Sequence, residues 1–190
     1  MAIIGVSKPY YAKYTVSNGA VAYSDLTNLA KATSAEINMD NADAVVLYAD
    51  NAAAETANGF SGGTLTLGID ELSVQSAAGI LGIDTESVST PSGTAVTMKA
   101  GTAAPYLGIG LIVKKQVNNA PKWMGVVLYK VQFQTPGLTA ETQGETITFQ
   151  TPELTATVLR DDTADQKWCS WGEFATEADA LTWISGKLGG

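Results

Sequence analysis

Few side chains of this sequence stand where covalent chemistry needs them. The one cysteine, Cys169, is flanked by Trp168, Ser170 and Trp171, with no base or cation beside it to lower its pKa and generate a thiolate. It reads as a thiol packed in a strand, and a single cysteine forms no internal disulfide. Histidine is absent, which removes the commonest metal ligand and the imidazole that serine and cysteine hydrolases use as a base.

The remaining candidates reduce to structural roles. Asp161, Asp162 and Asp165 lack the alternating oxygen ligands and turn glycine of a calcium loop and read as a solvated turn. No two of the many acids are singled out as the paired carboxylates of a glycosidase. Gly108-Ile109-Gly110 is a piece of a dinucleotide fingerprint without its third glycine, and it opens a strand rather than a helix. It marks a place where bulk is not tolerated, such as a subunit contact. Lys114-Lys115 is too short for a basic patch. Trp168, Trp171 and Phe174 could form a carbohydrate platform, but alternation along a strand splits Trp168 and Trp171 between faces, one for the core and one for an interface. No nucleophile, base or orienter stands out together in the sequence, so no enzyme, no cofactor and no metal is expected.

Charge is unevenly distributed. Of the 19 acids, Glu36, Asp40, Asp43, Asp50, Glu55, Asp70, Glu71, Asp84 and Glu86 lie between Lys31 and Lys99, a stretch that holds none of the 11 bases; the net charge is −8. Such a field repels phosphate, so a surface that gains affinity by releasing counterions from DNA is not expected. The same acids also suit a face that keeps the monomer soluble.

The elements that must carry these residues are mostly strands. With 45% hydrophobic and 16% charged residues in a 190-residue chain, one core-forming domain is expected. Asn18-Gly19 between Tyr10–Val16 and Ala20–Tyr23 signals a β-hairpin. Two strands are expected around the turn Asp40-Asn41-Ala42-Asp43, the second at Ala44–Ala49, followed by a long flexible loop over 50–63. Leu65, Leu67 and Ile69 alternate with threonines, which predicts a half-buried strand. Val74, Ala77, Ala78 and Leu81 then fall at helical spacing, with Asp70 and Glu71 suited to the first turn and Gly82 to the end. Residues 84–105 read as a loop or weak hairpin.

Strands follow at Tyr106–Gln116 and at 123–135, where Trp123, Val127, Tyr129, Val131 and Phe133 share one face. Further strands are expected at Thr146–Phe149, Leu154–Leu159 and 168–174, and Thr176 with Asp179 looks like the cap of a last helix bearing Leu181, Ile184 and Leu188. The fold class expected from these elements is α+β, mainly β: one β-sandwich-like domain over 1–190 with two short helices, the second ending a C-terminal extension, 163–190. No apolar run is long enough for a transmembrane helix, and the start lacks the basic segment and apolar run of a signal peptide, so a cytoplasmic site of synthesis and no membrane partner are expected.

The order of certain segments resembles a family. Gly5–Tyr14, Val46-Leu-Tyr-Ala-Asp50, Phe60–Leu72, Ala104-Pro-Tyr-Leu-Gly-Ile-Gly110, Leu128-Tyr-Lys-Val-Gln132, Gly144–Pro152 and Leu159-Arg-Asp-Asp162 together resemble the major tail (tail tube) proteins of siphophages and prophages of Gram-positive bacteria. The resemblance spans nearly the whole chain. It implies a β-sandwich or partial barrel with a short flanking helix, a structural subunit of the virion tail assembled in the host cytoplasm as hexameric rings. These stack into a tube with a continuous inner β-barrel. The implied partners are further copies of the chain, the tape measure, terminator and distal tail proteins, and phage DNA passing through without specific binding. On this reading Glu36, Asp40, Asp43 and Asp50 are candidates for the channel wall, and the loop 50–63, with Glu55, Asn58 and Phe60, for an arm onto an adjacent subunit. The alternatives are a carbohydrate- or surface-binding β-sandwich module, whose site would be the exposed aromatics, and a glycosidase-like enzyme.

Overall fold

A computed structural model describes residues 2–41, 45–49, 52–57, 59–89, 91–117, 119–137 and 151–189. The chain opens with the expected hairpin. β1 (Ala2–Ser17) turns through Asn18 and Gly19 into β2 (Ala20–Asn28), and both turn residues have positive φ, 51° and 76°, as a two-residue hairpin of matching twist requires. β3 (Ala32–Asn41) follows, then β4 (Val45–Ala49) and β5 (Ala52–Ala57), which among the described residues pair only with each other, and β6 (Phe60–Ile69). The loop expected over 50–63 is therefore corrected: most of it is strand. Ala52-Ala-Ala-Glu-Thr-Ala57 has little intrinsic strand preference, and the backbone ladder to β4 supplies what the side chains do not.

Helix α1 (Val74–Leu81) is capped by Ser73, whose side chain accepts from the Ser76 N–H at 3.0 Å, and ends at Gly82 in the left-handed conformation, φ 65°. Asp70 and Glu71 precede this cap instead of filling the first turn: the Asp70 carboxylate accepts from the backbone N–H of Lys31 and of Glu71. The buried face is Ala77, Ile80 and Leu81, while Val74 is exposed. β7 (Thr85–Ser89) and β8 (Ser92–Val96) form the weak hairpin. The remaining elements are β9 (Tyr106–Val117), β10 (Ala120–Phe133), β11 (Glu153–Leu159), β12 (Cys169–Phe174) and helix α2 (Glu177–Lys187), the last capped by Thr176 as expected. The strand expected at 146–149 lies outside the described residues.

The protein is mainly β. Eight strands make one antiparallel sheet in the order β2-β1-β9-β10-β11-β6-β3, with β12 also paired to β10; the sheet is not a closed barrel. β10 changes partner partway. Trp123 to Leu128 pair with β12, and Lys130 to Phe133 pair with β11. The change coincides with a register shift against β9 between Leu128 and Val131. A bulge of this kind reverses which side chains face the core, and it corrects the single face expected for β10. Trp123, Val127 and Tyr129 pack toward α2, whereas Val131 and Phe133 join Val126 and Leu128 on the other side.

That other side is the larger core. Leu65, Leu67 and Ile69 of β6, Leu107 and Ile109 of β9, Leu154, Ala156 and Val158 of β11 and Ile80 of α1 meet there with no exposed surface, and each Leu or Ile contributes about 1.5–3 kcal/mol of burial. The alternation read in β6 holds. The second cluster places Ala180, Ile184 and Leu188 over Ala12, Ile112, Val127 and Tyr129. Gly108 and Gly110 make this approach possible: a Cβ at Gly108 would stand 2.6 Å from Leu188 Cδ2, and one at Gly110 would collide with Ile184 Cγ2. Bulk is excluded at Gly108-Ile-Gly110 by the chain's own C-terminal helix.

Candidate functional site

The sheet leaves hydrogen-bonding edges open. Among the described residues β2 and β3 end the strand order, β12 has β10 as its only neighbour, and the Ala2–Ser7 half of β1 pairs with β9 alone, because pairing with β2 starts at Tyr10. The two halves of β1 are set apart by a register shift between Ser7 and Tyr10, where Lys8 has φ 47°. Ile3 and Ile4 on this open half are 68% and 54% exposed. Unpaired N–H and C=O groups in a row are a template for another strand.

Between the edges of β3 and β12 runs an apolar groove of about 440 Å³, lined by Ile37 and Met39 of β3, Met124 and Val126 of β10, and Trp168, Cys169 and Trp171. The sequence reading separated Trp168 from Trp171 by alternation. That is corrected: β12 begins at Cys169, so Trp168 lies before the strand and both indoles reach the groove. Trp168 stacks on Phe60, ring centroids 4.5 Å apart and planes 3° apart, while Trp171 is 66% exposed. Burial raises the Cys169 thiol to about 11, so at neutral pH it is protonated and a poor nucleophile.

The acids behave differently from one another. Glu36 and Asp40 are exposed at positions of β3 that alternate with Ile37 and Met39, and the Glu36 carboxylate accepts from Asn38 Nδ2 at 3.0 Å. Asp43 and Asp50, the other channel-wall candidates, lie outside the described residues. Among the arm candidates, Glu55 falls in β5, Asn58 lies outside the described residues, and Phe60 is half-buried against Trp168 of its own chain.

The acidic turn after β11 is not simply solvated. Asp161 is buried, and its Oδ1 accepts from Thr163 N at 3.2 Å, Thr163 Oγ1 at 2.7 Å and Lys167 N at 2.8 Å. Asp162 accepts from Lys130 Nζ and from the Tyr14 hydroxyl, both at 2.7 Å, and these two donors, Lys130 foremost, hold its carboxyl below the ordinary range. The Lys130 ammonium also lies 4.5 Å from the Tyr106 ring centroid and 5.3 Å from that of Tyr14. Burial first, and then the bond to Asp162, raises the Tyr14 phenol. This cluster was not read from the sequence, although Asp-x-Thr is a recognisable side-chain turn signal. It fastens the loop before β12 to β1 and β10.

No group of acids and cysteine converges as a metal site among the described residues. Lys114 lies 5.3 Å over the Trp123 ring and Lys115 bonds Glu173 at 2.9 Å, so the two lysines are engaged locally. No described helix is long and apolar enough to cross a membrane. No protein-family model matches the chain, and no curated protein matches it at a significant level.

Proposed function

We propose that this chain is a structural subunit that assembles with copies of itself, and specifically a tail tube protein whose hexameric rings stack around a channel for DNA. The observation that carries this reading is the set of strand edges on β2, β3, β12 and the first half of β1 that have no partner among the described residues. An isolated domain with such edges is prone to pairing, and a closed ring of identical subunits removes the liability by giving every edge a neighbour. In this reading the eight-stranded sheet would form a partial barrel of the tail tube type, and the ring would join the sheets into one inner barrel.

The acidic stretch has a role in the same scheme. Glu36 and Asp40, exposed on one side of β3, would present negative charge to the lumen, together with Asp43 and Asp50. A wall of that sign offers phosphate no counterion-releasing contacts, so DNA passes without adhering. The β4–β5 hairpin would serve as the arm toward an adjacent subunit or ring, and the ends of the tube would meet the tape measure, terminator and distal tail proteins. Electron microscopy of concentrated purified protein tests the reading. Rings or tubes of constant bore are expected, and a solitary globule at every concentration overturns it.

A second reading is favoured by one observation, the 66% exposure of Trp171 beside Trp168 in the groove. Adjacent indoles of this kind suit a sugar ring, as in a carbohydrate- or surface-binding module. Saturable binding on a glycan array by strictly monomeric protein would select it over the tube.

A further inference from the structure

We draw no further inference here: the strongest candidate, the apolar groove between β3 and β12 lined by Ile37, Met39, Met124, Val126, Cys169 and Trp171, carries no proposal of its own because nothing in the structure shows what covers it.

Discussion

The two apolar surfaces beside β10 end differently. Toward α2 the sheet is sealed: Gly108 and Gly110 bring the helix down until Ile184 and Leu188 have no exposed surface. Between β3 and β12 it is left open, with Met39, Met124 and Trp171 around a groove and, on either side, strand edges without a partner among the described residues. The first surface is completed by the chain itself, so its residues answer to folding. The second is only partly covered: Val126 is buried in the larger core and Ile37, Met39, Met124 and Cys169 pack against it, while Trp171 at the rim is 66% exposed and contributes least to folding. Substitutions on the two sides should therefore separate stability from association.

The largest effect is expected on the sealed side. Ile184→Ala removes three buried carbons from a site with no exposed surface, and a loss of about 3 kcal/mol is expected from lost transfer energy plus the cavity left behind. A shift of the denaturant midpoint without a change of slope measures it. A loss under about 1 kcal/mol, below the range for such truncations, would mean that α2 is not held as described. Gly110→Ala comes next. Its Cβ collides with Ile184, and overpacking of this kind costs about 1–3 kcal/mol. Pairing it with Ile184→Ala distinguishes a steric cause from a backbone one: the smaller residue makes room, so the two losses should sum to more than the double variant shows.

The sealed side was legible in the sequence and the open side only in part. Thr176 with Ile184 and Leu188 announces α2, while on the opposite side of the sheet Leu65, Leu67 and Ile69 announce the larger core because the period of two is unbroken. β10 misleads because its bulge lies within Leu128-Tyr129-Lys130, where nothing in the residue types marks an extra position. The sequence therefore assigns Val131 and Phe133 to the face of Tyr129, and the fold puts them on the other. The groove was hidden for a similar reason. Whether Trp168 and Trp171 share a side depends on where β12 begins, and that is set by pairing to Leu128, a long-range contact. The acids at 161 and 162 look like surface charge until Tyr14 and Lys130 are brought against them from strands distant in sequence.

The cluster at Asp162 joins the two sides, since it ties the loop before β12 to β1 and β10, and its effect on stability is smaller and pH-dependent. Its folded-state pKa is lowered by Lys130 and Tyr14, so the carboxylate contributes stability above its unfolded value near 4, and that contribution is lost as pH falls through the lower folded value. The stability difference between the wild type and Asp162→Asn should be constant above pH about 5 and shrink below about 4. A difference that does not change with pH would show that the carboxylate's charge plays no part. Tyr14 and Tyr23 act in the opposite sense. Burial raises both phenols, so their contribution is full below the unfolded value near 10 and fades as pH rises beyond it. Tyr14→Phe should flatten the alkaline limb and cost about 1 kcal/mol at neutral pH through the lost hydrogen bond.

The smallest effect on the monomer, and the sharpest test of the contrast, belongs to Trp171. Its side chain is 66% exposed, so Trp171→Ser should change monomer stability by no more than about 0.5 kcal/mol, the usual range for a surface site. If the open groove and its strand edges serve contact between copies, the same substitution must raise the concentration at which rings or tubes form, because an exposed aromatic that becomes desolvated is the kind of residue on which association energy concentrates. Analytical ultracentrifugation beside chemical denaturation reads both quantities from one preparation. Unchanged assembly would remove the groove from the interface, while assembly and stability falling together would show that Trp171 belongs to folding after all, and the distinction between the two surfaces would fail at its most exposed point.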